Sequence, residues 1–136
     1  MRVVAVILLT EDHRFLIARK KPGKPLSGYW EFPGGKVEPG ETPESALVRE
    51  IKEELNVDIY NLKEYCSYDY QKEKRVLEFT FFTASGNTEN LLLSDHDQVA
   101  WITFEELASY ALAPADMIAA DIITEKKFQG SAYNQT

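Results

Sequence analysis

Residues 35–57 read GKVEPGETPESALVREIKEELNV. Within this run Arg49, Glu50, Glu53 and Glu54 fall inside about one and a half helical turns, and at roughly 100° per residue the three glutamates share one face. Three carboxylates held that close repel one another unless positive charge sits between them. A hard divalent cation answers the need, because it takes oxygen ligands and can hold phosphates on its open side. The run also carries its own helix signals. Thr42 is placed to act as N-cap and Pro43 as the first helical residue. Leu47, Val48, Ile51 and Leu55 make an apolar stripe opposite the acids. Asn56 tolerates the left-handed conformation that ends a helix. The plainer alternative for the acids is a solvated helix face, with Arg49 and Glu53 as a supporting i, i+4 pair.

The elements on either side follow from the same kind of signal. Residues 3–10 are β-branched and apolar on both faces, as in a central strand. They run into Glu11, Asp12, His13 and Arg14 with no small-residue cleavage site, unlike a secretory leader. Residues 15–20 resume as a strand, and the two are expected to pair as a hairpin across a polar turn that includes His13. A loop with two prolines and two glycines covers residues 21–28. A short aromatic strand over 29–32 is expected to be broken by Pro33, Gly34 and Gly35. After the acidic helix come two long strands, near 58–70 and 75–84, then a turn at Ser85, Gly86 and Asn87. A short strand over 99–102, a short helix over 104–110 and a second helix over 114–123 complete the order. The polar end from about Lys126 is expected to be loosely held. Strands that outnumber helices, with a good helix between strand pairs, predict an α/β (α+β) domain with a mixed β-sheet sandwiched between α-helices.

The chain has 136 residues, which is the size of one domain spanning 1–136. Its 22 acidic against 15 basic residues give a net charge of −7, which argues against long nucleic acid as a partner. A small anion remains open, because a bound cation reverses the local sign. Cys66 is the single cysteine, so no internal disulfide forms, and a reducing, cytoplasmic setting fits. No apolar run approaches the ~20 residues that span a bilayer, so no membrane role is expected.

Gly35, five residues, Glu41, seven residues, then Arg49-Glu50-Ile51-Lys52-Glu53-Glu54 resembles the Nudix box. Trp30-Glu31-Phe32-Pro33-Gly34-Gly35-Lys36 is similar to the segment that precedes the box in MutT-type nucleoside triphosphate pyrophosphohydrolases. Ala113-Pro114-Ala115-Asp116 is similar to their base-reading segment. Asn56 departs from the pattern, which usually has glycine there, but both residues can adopt a positive φ. The resemblance implies the Nudix fold and a Mg²⁺ cofactor, with Mn²⁺ as a possible substitute. It implies metal ligands at the Gly34 carbonyl, Glu50, Glu53 and Glu54. Arg49 then clamps a neighbouring glutamate, as outer partners of metal ligands do, and Glu41 braces the loop against the helix. The implied reaction is attack of water on a nucleoside triphosphate, giving the monophosphate and pyrophosphate. The catalytic set is Arg49, Glu50 and Glu53, with Asp95 as a further acid at a position where related sequences carry glutamate.

Asp116 is the candidate base reader. Guanine-selective relatives carry asparagine there, whereas an ionised aspartate only accepts hydrogen bonds and so suits an amino group such as cytosine N4. This resembles the branch described as CTP pyrophosphohydrolases. A protonated Asp116 could also donate, or meet the edge of an oxidised guanine, so an 8-oxo-dGTP diphosphatase is the alternative. The plain reading of Asp116 is a first-turn helix acid. Phe32 is a candidate wall for stacking a base. Lys36 and Lys20 are candidate phosphate contacts. Tyr68 and Tyr70 read first as core, as do Trp30 and Trp101, while His96 reads as a surface histidine. The expected partner is a small nucleoside triphosphate, with the chain a monomer or homodimer. A non-catalytic nucleotide-sensing module, or a hydrolase of dinucleoside polyphosphates or nucleotide sugars, is the remaining reading.

Overall fold

The structure, a computed structural model, describes residues 1–126, so the expected loose end from about Lys126 lies outside the described residues. Two sheets and two helices are built in the order β1 (Arg2–Leu8), β2 (Phe15–Lys20), β3 (Trp30–Glu31), β4 (Gly34–Lys36), α1 (Pro43–Leu55), β5 (Asp58–Lys72), β6 (Arg75–Asn87), β7 (His96–Ile102) and α2 (Pro114–Lys126). A single 3₁₀ turn, Glu106–Ser109, stands where the short helix over 104–110 is expected. No helix among the described residues is long and apolar enough to cross a membrane.

The larger sheet runs β4-β1-β6-β5, and it is mixed because β1 and β6 are parallel while its other pairs are antiparallel. The smaller sheet runs β3-β2-β7. The alternation of β1 divides the core in two. Val4, Val6 and Leu8 point toward Leu47, Ile51 and Leu55 of α1. Ala5 and Ile7 point the other way, into a cluster with Phe81 and with Ala119 and Ile123 of α2. A strand buried on both faces, with a helix on each side, is the sandwich that its apolar sequence predicts.

Three local expectations are corrected. β1 and β2 do not form a hairpin and meet only at one bridge, Leu9 with Phe15. Both edges of β1 are already occupied, by β4 and β6, so β2 leaves to build the second sheet. Ser85, Gly86 and Asn87 are no turn but the end of β6, paired with Tyr60, Ile59 and Asp58. The glycine serves packing there, since a Cβ on Gly86 would stand 2.8 Å from Val57 Cγ1. Gly34 and Gly35 do not break the chain but form β4 against Ala5 and Val4.

The register of β4 is set by a close approach. A Cβ on Gly34 would lie 1.9 Å from the Val4 carbonyl oxygen, which is backbone and cannot move aside. Gly34→Ala is therefore expected to force β4 away from β1. The loss should reach or exceed the ~1–3 kcal/mol that overpacking ordinarily costs. Chemical denaturation of the variant measures it, and an unchanged midpoint would rule the contact out.

Candidate active site

Helix α1 delivers the acids in fixed directions because both of its ends are tied. Thr42 caps it, accepting from the Ser45 N–H, while the Ser45 hydroxyl accepts from the Thr42 N–H. Asn56 ends it in the left-handed conformation at φ 57°, with its side chain donating to the Asn90 carbonyl. The buried stripe is Ala46, Leu47, Ile51 and Leu55. Val48 is exposed instead, because it is turned away from that face toward solvent.

Arg49 organises the polar face. Its Nε and Nη2 grip the two oxygens of Glu41 at 2.7 and 2.9 Å, and Nη2 also donates to the Lys36 carbonyl at 3.1 Å. Its Nη1 reaches Glu50 at 3.1 Å and Glu53 at 3.2 Å. The Arg49 hydrogen bonds, helped by the Glu38 N–H, hold the Glu41 carboxyl down at about 2, while the guanidinium itself is pushed up. A carboxyl lowered in this way from 4.5 stabilises the fold above that value and loses the contribution as pH falls through about 2. The melting-temperature gap between wild type and Glu41→Gln is thus expected to be constant above pH 5, to narrow below about 4.5 and to close near pH 2. A gap that is independent of pH would sink this assignment.

The three glutamates part company. Glu50 and Glu54 turn inward, within hydrogen-bonding reach of each other. Glu53 stays with Arg49, its side chain 60% exposed. Among the described residues no three His, Cys, Asp or Glu side chains already converge as a closed cation site. The inward pair nevertheless fits a hard cation. Glu54 Oε1 is buried with no hydrogen-bond partner. Burial, then the charges of Glu31, Glu50 and Asp95, push the Glu54 carboxyl up to about 9, and burial raises Glu50 as well. Carboxyl oxygens that only a proton or a cation can reconcile make an oxygen donor set of the kind Mg²⁺ takes. Gly35 is the cradle: a Cβ there would stand 2.2 Å from Glu50 Cδ.

Asp95 is fastened close by. The Ser94 N–H donates to the Glu54 carbonyl, the Lys21 N–H to the Asp95 carbonyl, and Lys24 Nζ pairs with Asp95 Oδ1 at 3.2 Å. Asp95, the residue expected as a further acid, is engaged by a lysine while its charge bears on Glu54.

A cavity of about 420 Å³ starts at Gly34, Gly35 and Lys36 and ends at Ala113, Pro114, Ala115 and Asp116. Asp116, 5% exposed in the first turn of α2, accepts from the Phe32 N–H at 3.2 Å. Burial, then the charge of Glu31, pushes its carboxyl well above the usual aspartate range. Phe32 lines the cavity, but its ring is stacked on Phe15 and edge-on to Phe81, so its backbone N–H is what it lends to the site. Lys20 and Lys36 both line the space. Tyr68 stacks on Phe79 and donates to the Ala115 carbonyl at 2.7 Å, tying β5 to α2, whereas Tyr70 lines the cavity. Trp30 and Trp101 are half-buried against the two core clusters.

His96 is no surface residue. It is buried on β7 with Nε2 2.8 Å from Glu31 Oε2, because the loop expected before residue 99 is already strand. Glu31, Lys72, Arg75, Leu77 and Phe79 also line the cavity, although none stands out in the sequence as a site residue. Period-two alternation marks them: Tyr70 and Lys72 share one face of β5, and Arg75, Leu77 and Phe79 share one face of β6.

Residues 1–125 match the family model described as the NUDIX domain. The chain is 31% identical over 119 residues to a CTP pyrophosphohydrolase of Escherichia coli (strain K12), covering 86% of this chain and 88% of that protein. It is 33% identical over 89 residues to an 8-oxo-dGTP diphosphatase of Proteus vulgaris, covering 64% and 80%. Its fold is similar to the solution structure of the E. coli ORF135 protein, with a TM-score of 0.82 at 30% identity, covering 96% and 93% of the two chains.

Proposed function

The chain belongs to the Nudix family, and from that premise we propose that it is a nucleoside triphosphate pyrophosphohydrolase acting on cytosine-type nucleotides (CTP, dCTP or modified forms), with Mg²⁺ as its cation. Water adds to one phosphorus of the α–β linkage and the bridging oxygen leaves with the other, so the triphosphate becomes monophosphate and pyrophosphate. The 1–136 chain acts as one unit, monomeric or homodimeric, in the cytoplasm.

One cavity supports both halves of this reading: it runs from Gly34 and Gly35, against which Glu50 lies, to the buried Asp116. The Gly34 carbonyl, Glu50 and Glu54 would hold the cation, with Glu53 the third carboxylate on the same helix face. Mg²⁺ held there would supply charge neutralisation for the phosphates and acidify water, with Mn²⁺ as a possible replacement. The remaining work falls to the chain. Arg49 keeps Glu50 aimed at β4 through its grip on Glu41. Lys36 and Lys20 set positive charge along the path of the phosphates. Asp95 presses on Glu54 with its charge, and release from Lys24 would free it to assist proton transfer. Asp116, held by the Phe32 N–H, would meet the base.

The buried, raised carboxyl of Asp116 favours a second substrate as well. A neutral carboxyl offers one donor beside one acceptor, which also matches the N7–H and O6 edge of an 8-oxo-guanine. A screen of pyrophosphate release from standard, methylated and oxidised nucleotides, with Mg²⁺, Mn²⁺ or chelator, tests the proposal. CTP or dCTP is expected to lead and chelator to abolish release. Turnover of no triphosphate under any of these conditions would overturn it.

A further inference from the structure

Three residues from three strands meet at one end of the smaller sheet. Lys20 on β2 is opposite His96 on β7, and Glu31 on β3 is opposite Ala18 on the other edge of β2. Glu31 Oε2 sits 2.8 Å from His96 Nε2 and 3.6 Å from Lys20 Nζ. The His96 side chain is fully buried, 0% exposed, and its Nδ1 has no partner. A hydrogen bond to a carboxylate needs the proton on Nε2, which leaves Nδ1 of the neutral ring a bare acceptor. An unmade acceptor is easier to tolerate than an unmade donor.

A leucine would fill this place without burying any unpaired polar atom. The imidazole is accounted for if its task is to hold Glu31 still. Glu31 lines the cavity between Gly34 and Asp116, and its charge bears on both Glu54 and Asp116. It therefore stands where the two ends of a nucleotide would meet. We propose that His96 is a positioning residue that, with Lys20, fixes the Glu31 carboxylate so that it accepts a hydrogen bond from an N–H or O–H donor of the bound nucleotide. This rests on the nucleotide reading above.

The test measures binding rather than turnover. The probes are the α,β-methylene analogues of CTP, dCTP and UTP with Mg²⁺, followed by calorimetry on the full chain. His96→Leu is expected to raise Kd about tenfold, near the lower end of what a hydrogen bond to a charged group is worth. His96→Gln, whose amide N–H reaches toward the same oxygen, should recover most of the loss. In a Glu31→Met background His96→Leu should add nothing further. A loss confined to CTP and dCTP places the donor on the base amino group, one that spares dCTP places it on the 2′-hydroxyl, and an equal loss places it on the shared 3′-hydroxyl. Nitrogen-15 NMR of the histidine rings should show His96 as the Nε2–H tautomer in the free protein. Independent, additive effects of His96→Leu and Glu31→Met, or an unchanged Kd in His96→Gln and His96→Leu alike, would overturn the proposal. Failure of the wild type to bind any analogue, with the Nε2–H tautomer present, would overturn the nucleotide reading and this one with it.

Discussion

Glu54→Gln is expected to lower turnover by at least ~100-fold, the upper end of what losing a mere outer partner of a metal ligand costs, while making the cation-free protein more stable. The two effects have one origin. Glu54 is pushed up to about 9 by burial and by the charges of Glu31, Glu50 and Asp95, and its Oε1 lacks a partner. A carboxyl raised from 4.5 to about 9 binds its proton more tightly in the fold than in the unfolded chain. Stability is then full below 4.5 and is lost as pH rises through that interval. Glutamine carries no charge to desolvate, so the variant should escape this loss, and its advantage in melting temperature should grow from pH 5 to pH 9. Added Mg²⁺ should stabilise wild type and leave the variant unmoved, because only a ligand that binds the native state shifts the equilibrium. Thermal unfolding with Mg²⁺ or chelator, alongside pyrophosphate release, reads all three effects. Retained activity, or equal stabilisation of both proteins by Mg²⁺, would remove Glu54 from the cation site. Glu53 serves as the internal contrast. It is exposed and held by Arg49, so Glu53→Gln should leave cation-free stability within ~0.5 kcal/mol, as surface changes usually do.

The acidic helix was legible because its signals are local. Thr42, Pro43 and Asn56 fix its ends within a few residues of themselves, and the acids follow at helical spacing. Its detailed face was less so: Val48 and Ala46 exchange places because which of two small apolar side chains is buried depends on where β1 lies against the helix. The division into two sheets was hidden for a related reason. Gly34 reads as a chain breaker until Val4 is known to press against it, and only that contact makes a strand of Gly34–Lys36. His96 is the sharpest case. A histidine between two aspartates looks solvated, and its partner is Glu31, 65 residues away, which no local signal links to it. Local chemistry marked the acids and Asp116. The pairings that turn Glu50 from Glu53, and that give Glu31 its neighbours, are products of the fold.

Asp116→Asn is expected to reverse the substrate ranking, moving the ratio of kcat/KM for cytosine over guanine nucleotides by about tenfold or more, the scale of one good polar contact to a base edge. Burial changes what the aspartate offers. Its carboxyl is driven up by desolvation and by the Glu31 charge, so it keeps its proton at pH values where an exposed aspartate has lost it. One oxygen accepts from the Phe32 N–H, and a neutral carboxyl then presents a donor and an acceptor together. That pair matches cytosine, where the N3 acceptor lies beside the N4 amino donor. Guanine entering by its O6 and N7 edge presents two acceptors, and one of them would face an acceptor on Asp116. Asparagine in the same place gives its carbonyl to Phe32 and its NH₂ to the cavity, a donor suited to guanine. As pH rises and Asp116 loses its proton, the donor that faces cytosine N3 is lost, so wild-type kcat/KM for cytosine nucleotides should fall, whereas the variant should be flat. Stability follows the same sign: a raised carboxyl costs stability as pH rises from the unfolded value through the folded one, so the variant should gain on wild type toward alkaline pH. Steady-state kinetics on CTP, GTP and 8-oxo-dGTP across pH, with melting curves beside them, measure both trends. A folded variant with the wild-type ranking at every pH would leave Asp116 as a brace between Phe32 and α2, and the choice of base would then lie elsewhere along the cavity wall.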